Sequence, residues 1–209
     1  VEELAAGVTE AERFRRPSAA HAIGTKGILN AARAGVTSIE HGTVLNEEAV
    51  EIMLEKGTYL VPTLAALEQI LLHPERVPPA SMERARRVAA KARESVAMFY
   101  KAGGRIAMGA DTGTLCNPHG DNARELLHMV NCGMKPVDAL RSGTSIAAEL
   151  LRLPTRGVIA SGNVADLLIV RGDPLIDIAS AAEKDNHRLV IKDGKATIAE
   201  FRSIPDWWD

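Results

Sequence analysis

The chain has 209 residues, of which 46% are hydrophobic and 25% charged, and its formal net charge is -2. That length buries a sizeable core and lies between one large domain and two small ones, while the charge gives no electrostatic reason to expect nucleic acid or an anionic membrane. The longest apolar stretch, 60–72, is broken by Pro62, Thr63, Glu68 and Gln69, so nothing in it spans a bilayer.

The first segment, 1–16, opens with acids and closes with Arg13, Arg15 and Arg16, as a helix dipole favours. Pro17 stops it, and a buried strand follows at 19–22. Thr25 is placed to cap a helix that carries Ile28, Leu29 and Ala32 inward and ends at Gly35. The next strand is 36–41. Asn46 caps a helix with Glu47 and Glu48 in its first turn, Lys56 in its last and Gly57 just beyond. Residues 59–64 are β-rich, although Pro62 interrupts the ladder.

An insertion with Pro74, Pro78 and Pro79 covers 68–81 and reads as a loop or short helical lid. Met82, Ala85, Ala89, Ala92, Val96 and Phe99 recur at helical spacing, giving a long helix that runs to Gly103-Gly104. A strand at 106–110 follows, then helices at 121–132, from Pro136, and at 145–153. Repeated strand-plus-helix units imply a parallel sheet with right-handed crossovers. After about Pro154 the pattern changes. An apolar strand at 164–170 is closed by Gly172-Asp173-Pro174, and two short strands flank Asp193-Gly194, the strongest short hairpin signal. The expected organisation is an α/β unit over 1–153 and a smaller antiparallel β unit over 154–209.

Three residues stand just past apolar runs and just before turns: His21, His41 and Asp111. Imidazoles and a carboxylate at the ends of neighbouring parallel strands would converge on one point and suit a divalent metal such as zinc. Metal coordination lowers the pKa of water from about 15.7 to about 7. Asp111 can also take a proton from attacking water and return it to a leaving group, and its plainer reading is a turn-forming aspartate. His119, further along the Asp111 segment, is a candidate contact for a substrate carboxylate or carbonyl at the start of the following helix, or a loop histidine without a role. Cys116 reads as a passive loop thiol. His73, His128 and His187 are assigned to structure or surface.

These stretches resemble the amidohydrolase superfamily, in its imidazolonepropionase-like and Xaa-Pro dipeptidase-like branch. The matching segments are His21-Ala22 before Gly24-Thr25, Ser38-Ile39-Glu40-His41-Gly42 and Tyr59-Leu60-Val61-Pro62-Thr63-Leu64. Gly109-Ala110-Asp111-Thr112-Gly113, the run from His119 to Leu126, and Val164-Ala165-Asp166-Leu167-Leu168 with Gly172-Asp173-Pro174-Leu175 continue the series. The resemblance implies the second half of a (β/α)8 barrel plus the C-terminal part of a small β-sandwich. His21 and His41 would then sit on the fifth and sixth strands, and Asp111 on the eighth. The family's His-x-His and bridging lysine belong upstream and have no counterpart here, since Lys26 follows His21. A full barrel takes roughly 250 residues.

The function this implies is metal-dependent hydrolysis of C–N bonds, with one or two divalent ions in the intact enzyme and His21, His41 and Asp111 as ligands. The chain itself would be a C-terminal fragment, inactive alone. The acidic start, Val1-Glu2-Glu3-Leu4, lacks the marks of a signal peptide and begins without methionine, which points to a chain starting mid-protein. Two cysteines in no paired framework point to the cytoplasm. Open sheet edges point to a homo-oligomer acting on a small molecule, with neither nucleic acid nor membrane as partner. Two alternatives stay open: a non-catalytic half-barrel, and a small-molecule binding domain without metal.

Overall fold

A computed structural model describes the backbone of residues 1–199 and the side chains of residues 1–197. Its first part is built on a parallel sheet in the order β1 (Ala19–Ala22), β2 (Ser38–His41), β3 (Tyr59–Val61). The register pairs His21 with Glu40 and Ala22 with His41. Helix α1 (Glu2–Arg13) precedes the sheet, and it stops short of the expected Arg16 because Arg15 turns the chain at φ 53°.

Helix α2 (Thr25–Ala34) joins β1 to β2, and α3 (Glu47–Lys56) joins β2 to β3. Both end on a glycine in the left-handed conformation, Gly35 at φ 84° and Gly57 at φ 66°, which only a residue without Cβ adopts at no steric cost. Asn46 caps α3 as expected, accepting from the Ala49 amide at 2.9 Å. Thr25 does not cap α2: Gly24 holds that position, and the Thr25 hydroxyl donates instead to the Val44 carbonyl at 2.8 Å.

The proline-rich insertion is mostly helical. It comprises α4 (Leu64–Leu72), a 3-10 turn at Pro74–Arg76, and the start of α5 (Pro79–Lys101). Prolines at the first positions of a helix leave its ladder intact. The strand expected at 106–110 shrinks to a single parallel bridge between Leu60 and Ile106. Pro62 offers no amide to extend β3, and the Met108 amide turns away to the Ser142 carbonyl at 2.9 Å.

Helices α6 (Arg124–Asn131), α7 (Pro136–Ser142) and α8 (Ser145–Leu150) complete this part. One face of the sheet supplies Ile39, Leu60 and Ile106 to the main core, where they meet Ile28, Met53, Val96, Phe99 and Met129. The other face supplies Tyr59, Val61 and Ala107 to a smaller cluster closed by Leu150. A sheet buried on both faces reads as continuous apolar runs, as β3 does; β1 is partly exposed, and β2 carries Ser38, Glu40 and His41.

The C-terminal part is an antiparallel sheet of β4 (Leu167–Val170), β5 (His187–Lys192) and β6 (Lys195–Ala199). Asp193 at φ 50° and Gly194 at φ 75° make the expected hairpin turn. A short helix, α9 (Ala179–Ala182), packs between β4 and β5 in sequence and was not legible from the pattern. Among the described residues this part is a single three-stranded sheet, with no second sheet of the expected sandwich, and 200–209 of the expected 154–209 unit lie outside the described residues. No described helix is long and apolar enough to cross a membrane.

Candidate active site

Strand parity alone would turn Glu40 and His41 to opposite faces of β2. His41 escapes that rule because its backbone is left-handed, at φ 71°. Its ring meets the ring of His21 edge to face, with centroids 4.5 Å apart and planes at 71°. Thr63, two residues past β3, and Asp111, past the Ile106 bridge, are left-handed as well, at φ 52° and 50°. Three successive strand exits thus carry a non-glycine residue in a sparsely populated conformation, a cost of order 1–3 kcal/mol each that surrounding structure must over-determine.

The fixings are visible. Beyond His41, the Gly42 amide bonds the Ala22 carbonyl and the Val44 amide bonds the Ile23 carbonyl, each at 3.0 Å. From α5, the buried Ser95 hydroxyl donates to the Thr43 carbonyl at 2.8 Å and accepts from the Leu45 amide at 3.0 Å. His41 Nδ1 lies 2.7 Å from the Thr63 hydroxyl. Beyond Asp111, the buried Asn117 donates through Nδ2 to the Ala110 carbonyl at 2.7 Å and the Asp111 carbonyl at 3.1 Å. Gly109 lets this segment lie against β3, since a Cβ there would come 2.5 Å from Val61 Cγ1.

Burial, and secondarily the neighbouring His21, hold the His41 pKa below the ordinary imidazole range, with the Asp111 carboxylate acting the other way. That environment favours the neutral imidazole, the form that ligates metals. Just below it Glu40 is half-buried, and desolvation raises its pKa while a hydrogen bond from Ser38 at 2.6 Å opposes the rise. The structure brings His21 and His41 together and leaves Asp111 within electrostatic reach of His41. Among the described residues no group of three candidate ligands is gathered on one point. The donor chemistry thus fits two imidazole ligands of an ion, and a complete ligand sphere is not assembled.

His119 is exposed in the Asp111 loop, its Nδ1 3.3 Å from the Thr112 hydroxyl. The expected help from a helix amino end is absent, because α6 begins only at Arg124 and Asp121, between them, pairs with Lys184 at 2.6 Å. Cys116 and Cys132 are both unpaired thiols, and burial pushes Cys132 up to about 11, so it is inert at neutral pH.

Sequence reasoning missed Glu125. It is fully buried on α6, and its two carboxyl oxygens accept from the Leu64 and Ala65 amides at 2.8 and 2.6 Å. Burial pushes its pKa up to about 8, against the pull of those two amides. One signal was available: Glu125 shares the inward face of α6 with Met129, four residues on, where an apolar residue is expected.

Comparison with known proteins gives the chain its relatives. The model of the amidohydrolase family matches residues 1–197. The ochratoxinase of Aspergillus niger is 34% identical over 198 residues, covering 93% of this chain and 40% of that protein. Imidazolonepropionase from Ralstonia nicotianae is 30% identical over 206 residues, 90% of this chain and 45% of the relative. A crystal structure of a Xaa-Pro dipeptidase with methionine in its active site superposes with a TM-score of 0.83 at 38% identity, covering 93% of this chain and 48% of the other. The A. niger ochratoxinase structure gives 0.82 at 33% identity, covering 95% and 45%. The chain thus spans less than half the length of these relatives. Its parallel sheet and helices accord with part of a (β/α)8 barrel. On these matches the chain belongs to the amidohydrolase family.

Proposed function

We propose that this chain contributes the second half of a metal-dependent hydrolase acting on amide or peptide C–N bonds. The observation that carries the reading is the His21–His41 pair near the ends of adjacent parallel strands, with the His41 Nδ1 engaged by Thr63. His21 and His41 would hold a divalent ion, zinc being one that suits such donors, and Asp111 would add a carboxylate from two strand exits further on. Such an ion supplies Lewis acidity, which makes water a nucleophile near neutral pH.

In this reading Asp111 accepts a proton from the attacking water and delivers it to the departing nitrogen. The left-handed backbone at Asp111 and the Asn117 bonds to the Ala110 and Asp111 carbonyls support a fixed position for that residue. His119, exposed beside it, would bind the substrate's carboxylate or carbonyl. The relatives' names, ochratoxinase, Xaa-Pro dipeptidase and imidazolonepropionase, support a small substrate with an amide bond. The unpaired thiols support a reducing compartment, and the apolar surface exposed at Leu168, Ile169 and Ile176 supports self-association. Residues upstream of this chain would supply the rest of the barrel and of the ligand sphere, and the whole protein would be the active species.

The test is kinetics of the full-length protein on Xaa-Pro dipeptides, N-acyl amino acids and cyclic amides, with metal content measured for each variant. Asp111→Asn should lower kcat by about 10²–10⁴-fold, and His21→Asn or His41→Asn should lose metal. An Asp111→Asn protein with near-normal kcat and metal content would remove Asp111 from the mechanism.

A further inference from the structure

A threonine just before a helix ordinarily caps it by accepting a backbone amide through its hydroxyl. Thr63 holds that position before α4 and makes no such bond. Its left-handed backbone turns the hydroxyl toward His41 Nδ1, at 2.7 Å. The Ala65 amide, one that a capping threonine would meet, and the Leu64 amide before it are met from another helix by the two carboxyl oxygens of Glu125. Thr63 and Glu125 are both buried, so water cannot substitute readily for either.

We propose that Glu125 is a positioning residue for His41: by capping α4 in place of Thr63, it frees the Thr63 hydroxyl to hold the His41 ring. The order of links is Glu125 to the first turn of α4, that turn to the left-handed Thr63, and Thr63 to Nδ1 of His41. With the Thr63 oxygen as acceptor, Nδ1 keeps its proton and Nε2 presents its lone pair to the site. A partner of this kind fixes the tautomer and orientation of a ligating imidazole. Without Glu125, Thr63 returns to its ordinary role: its hydroxyl rotates to the uncapped amides and leaves Nδ1 without a fixed partner. The function of the relay rests on the metal-ligand reading of His41; its geometry does not.

The experiment uses the full-length protein, metal-free, with 15N-labelled histidine at a pH where the imidazoles are neutral, and the His41 signal is assigned by its loss in His41→Asn. Wild type should show one tautomer, with the proton on Nδ1. Thr63→Val and Glu125→Gln should each give a mixture, Thr63→Ser should keep the single form, and the double variant should be no worse than Thr63→Val alone. Glu125→Asp, which retracts the carboxylate, supplies the same comparison if the glutamine variant does not fold. Zinc affinity, titrated with the ion alone, should fall about 10–100-fold in Thr63→Val and Glu125→Gln and stay within a few-fold in Thr63→Ser. A Glu125 variant that melts earlier yet keeps the wild-type tautomer and zinc affinity would overturn the proposal and leave Glu125 a plain helix anchor. Full zinc content in His41→Asn, alongside a tautomer that still responds to Glu125, would sink the metal-ligand reading while the positioning role stands.

Discussion

The parallel and antiparallel parts of this chain bury their strands very differently. All of β3 is buried, and Ile39 and Leu60 have no exposed surface. In β4, by contrast, neighbouring Leu168 and Ile169 are 44% and 37% exposed, and Ile176 in the following turn is 84% exposed. Successive strand residues face opposite sides, so β4 shows apolar surface on both. A strand with water on one side would alternate instead. The centre of the parallel sheet, β2 and β3, is thus covered by the chain's own helices, though β1 is partly exposed, whereas the antiparallel sheet is written for cover on both faces that the described residues do not provide.

The largest effect that could break this contrast lies in the parallel core. Phe99 is fully buried on α5, and Phe99→Ala should cost about 3–5 kcal/mol, measured by chemical denaturation. A loss below about 1 kcal/mol would mean that the core is as loose as the tail.

The buried carboxyl of Glu125 gives a second, pH-dependent contrast. Its pKa rises from 4.5 to about 8 on folding, so between those values the folded state keeps a proton that the unfolded state has lost. Its contribution to stability is full below about 4.5 and declines as pH rises through about 8. Thermal melting across that window should fall more steeply in the wild type than in Glu125→Gln, which has no such proton to lose. Parallel curves would show that the carboxyl is already ionised in the fold.

The smallest effects belong to the tail. Ile169→Thr and Ile176→Ser should change folding stability by only about 0.5 kcal/mol. They should nonetheless reduce self-association of the chain in sedimentation, since exposed apolar patches drive it. Association unchanged by both would place the contact elsewhere, with the open edge of β1 next to be tested. On α6, His128 is largely buried and its Nε2 has no partner among the described residues. Since the rings of His21 and His41 meet each other and Thr63, with His128 on a separate helix, His128→Gln should leave activity of the full-length protein within a few-fold.

The alternation of strands and helices was legible in the sequence because each boundary carries its own local chemistry: Asn46 before α3, Gly57 after it, Asp193-Gly194 at the hairpin. That His21 and His41 lie near the ends of adjacent strands was legible, but their meeting was not: the register sets His21 beside Glu40, and the left-handed backbone of His41 brings the two rings together. What was hidden depends on contacts distant in sequence. The strand at 106–110 gave way because Ser142, over thirty residues on, takes the Met108 amide. Glu125 works on amides sixty residues away, and Thr63 holds a conformation that its own type disfavours. No local pattern records such bonds.

That conformation has a consequence for anyone selecting improved variants of this protein. A β-branched residue at positive φ is a genuine outlier, and glycine would occupy position 63 without steric cost. A screen that rewards only thermal endurance would be drawn toward Thr63→Gly, and would discard the hydroxyl on His41 in doing so. Libraries sorted for heat resistance would therefore drift away from function at the strand exits first, and any such campaign should hold Thr63 fixed from the first round.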